Sequence, residues 1–328
     1  MPSRWIVVLA FATAGALPLP VNATARHAPR RPMAPLAVVA VPPSTRLLVV
    51  APHPDDEVIG AGGLMQRVQA GGGRVRVVYL TNGEGYPEGV KLEEHGRTPT
   101  AEDFRDYGRR REREARTALS ALSLGRDDAT TFLGFPDGGL AKLMRAYWSA
   151  RRVAYRSPYT RRDRPPMSSV LVPQAEYRGE DLTQELAQIV GEFRPTLIVV
   201  PRKEDQHVDH CSAWFFVADA LTDVRRVHPD YSADVINYIV HWYSWPFEDE
   251  TMRLPPPPGL RGGASGWMTL PLTRDEAHAK RTALGRYRTQ MHVMSWFLDG
   301  FARDNELFSR PASSSVVLPA RRELCDGP

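Results

Sequence analysis

Short apolar runs alternate along this chain with longer amphipathic stretches. The apolar runs lie within residues 45–51, 74–83, 129–135, 196–201 and 235–243. The stretches between and after them, at 57–73, 102–125, 181–193 and 273–294, have the period of amphipathic helices. Strands that are apolar along most of their length are buried on both faces, which is typical of parallel strands joined through helices. The sequence therefore predicts an α/β fold: a Rossmann-like, mostly parallel sheet with helices on both faces.

The N-terminus has the three parts of a secretory signal peptide. MPSR is basic, the apolar stretch WIVVLAFATAGAL is too short to span a bilayer comfortably, and Ala23-Thr24-Ala25 fits the small-x-small cleavage pattern. We expect cleavage near Ala25 and export to the periplasm or the medium, with an uncleaved N-terminal anchor as the alternative. No later stretch reaches a spanning length, so we expect no transmembrane segment in the mature protein.

The rest of the chain divides into three parts. Residues 26–44 are rich in Pro and Ala without a clear period, and we expect a linker there. Residues 45–310 form the predicted single catalytic domain, and 311–328 a C-terminal tail. The only two cysteines are Cys211 and Cys325. An oxidising compartment would permit one disulfide between them, and two unpaired thiols are the alternative.

The charge pattern argues against a nucleic-acid partner. Among the 328 residues, 42% are hydrophobic and 24% are charged, which are ordinary globular values. The net charge is +4, and the arginine pairs and triplets are scattered along the chain. Scattered arginines are typical of a solvated surface rather than of a basic track that follows phosphates.

Polar clusters follow two of the predicted strands. His53-Pro54-Asp55-Asp56-Glu57 comes directly after the first strand, and RKEDQHVDH (202–210) comes after the strand at 196–201. Ligands of open parallel sheets bind outside the carboxyl ends of the strands, so the two clusters could converge there. Together they offer imidazoles and carboxylates. Three protein ligands with one open position is the arrangement of a catalytic zinc site.

These two clusters resemble the two signatures of the LmbE-like (PIG-L) de-N-acetylases. That family includes the deacetylases of N-acetylglucosaminyl-phosphatidylinositol and of the mycothiol precursor. Weaker similarities, together spanning about residues 45–310, are TNGEGYP (81–87), Arg111-x-x-Glu114, FLGFPDGGL (132–140), Asp205 before the second histidine cluster, Lys280 to Gln290, and FARDNELF (301–308). Two departures are Val208, where the family commonly has proline, and Pro52 before His53.

The resemblance implies a set of metal ligands. His53, Asp56 and His210 would bind Zn²⁺, although such ligands also suit Fe²⁺ or Co²⁺. Zinc lowers the pKa of a bound water to about 7, which supplies a nucleophile for amide hydrolysis.

The resemblance also implies roles for three neighbouring residues. Asp55 would be the general base that takes a proton from the zinc-bound water. A protonated His207 would stabilise the oxyanion or protonate the leaving amine, and Asp209 would orient an imidazole. Apart from the resemblance, the charge of Arg111 suits a phosphate or a sugar hydroxyl of the substrate, with a surface position in the run Arg109 to Arg111 as the alternative.

The predicted function is that of an exported zinc-dependent hydrolase. It would remove an N-acetyl or other N-acyl group from an amino sugar or glycoconjugate. The alternatives are an amidase acting on a non-sugar amide and a carbohydrate-binding protein without turnover. Two features stay open: the aromatic and arginine-rich stretch 146–166 suits either a lid or a structural insertion, and Trp242 and Trp245 suit either a sugar platform or the core.

Overall fold

A mixed α/β arrangement extends through the part of the chain that the computed structural model describes. The described residues are 35–125, 129–149, 151, 153–169, 171–247, 251–263, 265–311 and 325. The expected signal peptide, the first part of the expected linker and most of the expected tail lie outside them. From Leu36 onward these residues belong to one compact unit.

Strands and helices alternate along most of this unit. The strands are β1 (Ala37–Val38), β2 (Arg46–Ala51), β3 (Arg74–Thr81), β4 (Thr130–Phe135), β5 (Leu197–Pro201), β6 (Asp234–Tyr238), β7 (Trp267–Pro271) and β8 (Asn305–Ser309). The helices are α1 (Asp56–Ala70), α2 (Pro87–Glu93), α3 (Ala101–Ala121), α4 (Leu140–Arg145), α5 (Gly179–Phe193), α6 (Val208–Val227), α7 (Arg274–Leu284) and α8 (Arg288–Gly300).

All eight strands form one sheet in the order β1-β7-β8-β6-β5-β2-β3-β4. The five strands from β6 to β4 pair in parallel, and β8 pairs antiparallel with both β6 and β7. Parallel neighbours need crossover connections, and the helices between them supply these. The predicted fold class, a mostly parallel sheet, is confirmed.

Each face of the sheet has its own apolar core. Side chains of a strand point alternately to opposite faces. Leu47 and Val49 of β2 therefore pack on one side with residues of α1 and α3, whereas Leu48 and Val50 pack on the other side with residues of α5 and α6. Helices thus cover both faces, as the apolar strands predicted.

The first helix is interrupted next to the sheet centre. Ala61 has non-helical dihedral angles (φ −146°, ψ 17°) inside α1. The buried Glu306 carboxylate accepts hydrogen bonds from the backbone N–H of Gly63 at 2.7 Å and of the next residue at 2.9 Å. The buried Lys280 ammonium donates to the carbonyl of Ile59 at 2.9 Å and to Glu306 at 2.7 Å. An ion pair therefore satisfies the backbone groups that the interruption leaves open.

Two differences from the sequence-based prediction concern the C-terminal helices and the segment before β2. The single helix predicted at 273–294 is two helices, α7 and α8, because the chain turns after Leu284 and buries Tyr287, whose hydroxyl donates to the Glu57 carboxylate. Within the segment predicted as a linker, Ala37–Val38 pairs in parallel with β7.

Two further findings concern the cysteines and the membrane. Cys211, in the first turn of α6, and Cys325 form a disulfide with Cα atoms 5.6 Å apart, so the bonded alternative is the observed one. Across the described residues, we find no helix with the combined length and apolarity needed to cross a bilayer.

Candidate metal centre

The two polar clusters meet at the centre of the sheet. β2 and β5 are neighbours, and the chain continues from β2 to β3 and β4 on one side and from β5 to β6 on the other. Such a reversal of strand order opens a crevice at the carboxyl ends of the strands, where open α/β sheets bind ligands. His53 lies two residues beyond β2, and His210 lies in the first turn of α6.

Three side chains in this crevice form a candidate metal centre. The Asp56 carboxylate oxygen Oδ2 lies 3.2 Å from His53 Nδ1 and 3.2 Å from His210 Nε2. All three residues are buried, and neither ring nitrogen of His210 has a hydrogen-bond partner of acceptable geometry among the described residues. Two imidazoles and one carboxylate are a donor set that Zn²⁺, Fe²⁺ or Co²⁺ accepts. The residues therefore fit a divalent cation, and their assignment as its ligands stays a prediction.

The buried carboxylate of Asp205 lies on the Nδ1 side of the His210 ring. Asp205 Oδ2 lies 3.3 Å from His210 Nδ1 and accepts backbone hydrogen bonds from Val240 at 2.8 Å and from His241 at 3.1 Å. Burial alone would lower the pKa of His210, but the Asp56 and Asp205 carboxylates raise it to about 10. A carboxylate behind a metal-binding histidine fixes the ring orientation and its tautomer.

Asp55 is buried beside this centre in an unusual backbone conformation. Its φ of 127° lies where residues other than glycine are strained, at a cost of about 1–3 kcal/mol. Burial raises the pKa of its carboxyl to about 7, with a further increase from Asp56, although the Arg111 guanidinium opposes the shift. The turn aims Asp55 and Asp56 in different directions, as two adjacent aspartates with separate roles would require.

Arg111 fixes this turn from the opposite side. It is 4% exposed and donates to the carbonyls of Pro54 at 2.6 Å and Gly83 at 2.8 Å and to Asp55 Oδ2 at 3.1 Å. The alternative of a surface position for Arg111 is therefore wrong. Gly83 has a φ of +63°, and a Cβ there would lie 2.1 Å from the guanidinium, so glycine at this position lets Arg111 keep its contacts with the turn. These contacts indicate a positioning role, and contact with substrate stays a prediction.

His207 caps α6 and lies beside the centre. Its Nδ1 accepts the backbone N–H of Asp209 at 3.3 Å, so the proton of a neutral ring is on Nε2. Burial, together with the rings of His53 and His210, lowers the pKa of His207 to about 3. The ring is therefore a neutral donor at neutral pH, and the protonated form expected from the sequence is not the one favoured here.

Two carboxylates flank His53 on its other side. Asp137 Oδ1 lies 3.1 Å from His53 Nε2, and Asp209 Oδ2 lies 3.6 Å from the same atom. Asp209 also accepts the backbone N–H groups of Gly138 at 2.7 Å and Leu140 at 3.1 Å. His53 is therefore the imidazole that Asp209 contacts.

The sequence-based prediction of the site missed Asp137 and His241. Asp137 follows β4 in FLGFPDGGL, a position at the same sheet edge that could have indicated it. His241 follows β6, and its ring lies 4.9 Å from that of His210 and 5.3 Å from that of His207. The signal that could have indicated His241 is its position directly after a strand. That signal was missed because the predicted strand, 235–243, included this residue.

The family model described as GlcNAc-PI de-N-acetylase (PIG-L) matches residues 48–221, more than half of the chain. The chain belongs to this PIG-L family. The matched range begins in β2 and ends in α6, so it contains every predicted metal ligand.

Individual curated proteins are similar to this chain over about half of its length. A 1D-myo-inositol 2-acetamido-2-deoxy-alpha-D-glucopyranoside deacetylase 1 of Saccharopolyspora erythraea is 30% identical over 193 residues, which is 56% of this chain and 56% of that protein. The corresponding deacetylase of Rhodococcus jostii is 30% identical over 168 residues, covering 50% and 49%. The chain thus spans about half the length of the curated relatives it matches.

A solved structure has the same fold. The crystal structure of a deacetylase–bog complex from the biosynthesis of teicoplanin aligns with 81% of this chain and 97% of its own, with a TM-score of 0.51 and 19% identity.

Proposed function

We propose that this protein is an exported, metal-dependent hydrolase that removes an N-acetyl or other N-acyl group from an amino sugar or glycoconjugate. The observation that carries the proposal is the convergence of buried His53, Asp56 and His210 next to Asp55, at the point where strand order reverses. Membership in the PIG-L family supports it, as do the relatives whose named substrate is an acetamido sugar joined to inositol. The N-terminal sequence pattern supports export.

The metal would be held by His53, Asp56 and His210, with zinc as the first candidate and iron or cobalt as alternatives. Zinc held by these residues would lower the pKa of a coordinated water to about 7 and would polarise an amide carbonyl.

Asp55 is the base in this proposal. Its carboxylate, oriented by Arg111, accepts one proton of the attacking water. When the C–N bond breaks, the protonated Asp55 returns that proton to the departing nitrogen, which leaves as a free amine. The products are a carboxylic acid and an amino sugar, so atoms and protons balance.

His207 supplies a hydrogen-bond donor in the same step. Because its Nδ1 accepts from the α6 backbone, its Nε2–H is available to the carbonyl oxygen as negative charge develops there. Comparable donors to an oxyanion contribute about 3 kcal/mol to the transition state. Asp209, next to His53, keeps that ring oriented.

The test is release of acetate and free amine by the zinc-loaded protein that starts at Arg26. The substrates are N-acetylglucosamine, its oligomers, its inositol-, phosphoinositide- and nucleotide-linked forms, and simple N-acyl amides, with Asp55→Ala as the control. We expect release from one sugar class, loss of release with a chelator, and no release by the control.

Other outcomes of the same panel would replace the proposal. Release from the simple amides alone would indicate an amidase of non-sugar substrates. Sugar binding without any amine release, in protein with bound metal, would indicate a carbohydrate-binding protein. N-terminal sequencing of protein recovered from outside the cytoplasm tests export, and an intact Met1 would contradict cleavage.

A further inference from the structure

A pocket of about 250 Å³ opens beside the candidate metal centre. Most of its lining is aromatic, with Gln206 and Val240 as further wall residues, and the aromatic wall residues are Trp242, Tyr243, Trp245, Phe247 and Phe297. The imidazoles of His207 and His241 also line it, and the His207 ring lies 4.7 Å from that of His53 in the candidate metal centre. None of the roles described above uses this aromatic pocket.

The aromatic pocket presents carbon surface more than hydrogen-bond donors. The indole N–H of Trp242 donates to the carbonyl of Pro258 at 2.9 Å, and that of Trp245 donates to the carbonyl of Pro255 at 2.8 Å. A sugar ring in such a pocket would lose the hydration of its hydroxyls without gaining these donors in return. The chemistry of the walls favours a hydrocarbon group.

The candidate metal centre has the aromatic pocket on one side and a pair of carboxylates on the other. On the charged side, Asp137 and Asp209 face His53. On the other side the rings follow in a row, with 4.7 Å between the centroids of His53 and His207, 5.3 Å from His207 to His241, and 5.3 Å from His241 to Phe297. An N-acyl amino sugar is divided in the same way, with hydroxyls on the nitrogen side of the amide and hydrocarbon on the carbonyl side.

The aromatic pocket is larger than an acetyl group requires. An acetyl group carries one methyl beyond its carbonyl, whereas 250 Å³ is room for roughly eight groups the size of a water molecule. We propose that the pocket binds the acyl chain of the substrate and that the preferred substrate is an amino sugar acylated with about four to eight carbons. This inference rests on the proposed deacylase function.

The test is the dependence of kcat/KM on acyl length. The zinc-loaded protein from Arg26 is assayed on glucosamine carrying N-acetyl, N-butyryl, N-hexanoyl or N-octanoyl groups. Each methylene that enters an apolar site strengthens binding roughly threefold to fourfold. We therefore expect kcat/KM to rise on the order of 100-fold from acetyl to hexanoyl.

A wall variant and a distant control locate the effect. Trp242→Ala removes part of the pocket wall, whereas Val227→Ala truncates a 73% exposed side chain at the end of α6, outside the pocket lining. The ratio of kcat/KM for hexanoyl over acetyl should fall at least tenfold in Trp242→Ala and stay unchanged in Val227→Ala. Tyr243→Ala, at a 77% exposed wall residue, gives the same test without disturbing the core.

The outcomes separate this inference from the proposed function. Equal kcat/KM for acetyl and hexanoyl substrates, or an unchanged ratio in both wall variants, would overturn the acyl pocket and leave the deacylase function intact. If no substrate is cleaved, the deacylase function fails, and calorimetry of N-hexanoyl- and N-acetylglucosamine binding decides the pocket. Tighter hexanoyl binding that Trp242→Ala weakens would support an apolar site, and equal binding would exclude it.

Discussion

Asp55 and Asp56 are neighbours in sequence with different surroundings. Asp56 faces two imidazoles and begins α1, whereas Asp55 lies in the strained turn before the helix and pairs with Arg111. A metal ligand and a base can therefore be changed separately.

Asp55→Asn should lower kcat by about 10²- to 10⁴-fold, because it removes a general base while keeping a side chain of the same shape. Metal content should stay at the wild-type value. His210→Ala should instead lose the metal. Amine release and metal analysis of both variants check this, and near-full activity in metal-loaded Asp55→Asn would contradict the assignment of the base.

Arg111→Met separates positioning from substrate binding. Removing the guanidinium leaves Asp55 buried without its cation and two carbonyls without their donor, which should destabilise the fold by about 3–5 kcal/mol. Urea unfolding measures that loss. An unchanged midpoint together with a raised KM would mean that Arg111 contacts substrate instead.

For individual residues, the sequence predicted the site side chains that directly follow a strand. His53, Asp56 and His210 occupy such positions, and their convergence follows from the sheet. The burial of Arg111 could not be predicted, because it lies in a run of three arginines. Its guanidinium reaches the turn by packing against Gly83, a contact between residues far apart in the sequence. The neutral state of His207 depends on a three-dimensional cluster of rings.

Helix α1 depends on an ion pair contributed by two distant elements. Lys280 of α7 and Glu306 of β8 lie in its interruption at Ala61, and both are buried. Neither a glycine-rich helix sequence nor its period predicts such an interruption. The split of α7 from α8 was missed for a similar reason, since burial of Tyr287 outweighs local helix propensity.

Lys280→Met should destabilise the protein by about 3–5 kcal/mol, because it leaves the Glu306 charge buried and unpaired. The double variant Lys280→Met with Glu306→Gln removes that charge and should recover part of the loss. Urea unfolding of both variants measures the coupling. A double variant no more stable than Lys280→Met would argue against an unpaired charge as the cause.

Glu185 of α5 makes stability depend on pH. It is buried and accepts the backbone N–H groups of Leu171 and Val172, and burial raises the pKa of its carboxyl to about 7. Since the unfolded carboxyl ionises near pH 4.5, the contribution of Glu185 to stability is complete below that pH and is lost as the pH rises through about 7.

Glu185→Gln keeps an acceptor and removes the ionisation. It should be more stable than the wild type by on the order of 1–3 kcal/mol at pH 8, with the difference disappearing near pH 4.5. Thermal unfolding at both pH values checks this. A difference that does not change with pH would exclude ionisation of Glu185 as its source.

At the scale of the whole molecule, the disulfide between Cys211 and Cys325 joins residues that are 114 positions apart in the sequence. In the chain-entropy treatment, closing a loop of about 100 residues stabilises a fold by roughly 4–5 kcal/mol. Cys325→Ser should therefore lower the unfolding temperature clearly, and a reducing agent should do the same to the wild type. An unfolding temperature that changes neither in Cys325→Ser nor in the reduced wild type would contradict a contribution of the bond.

The sheet as a whole was the most predictable level, because apolar strands between amphipathic helices admit few arrangements. Its antiparallel edge, where β8 inserts between β6 and β7, was not predicted, since β8 carries no such apolar run and its pairing is decided by the elements around it.

The meeting of β2 and β5 also has a mechanical consequence. Asp56 and His210 belong to opposite halves of the chain and approach only because the strand order reverses between them. A cation held by both would act as a reversible cross-link between the two halves, closing a loop longer than that of the disulfide. The fold would then respond to metal concentration throughout the sheet, and each half of the chain, expressed alone, would carry an incomplete binding site.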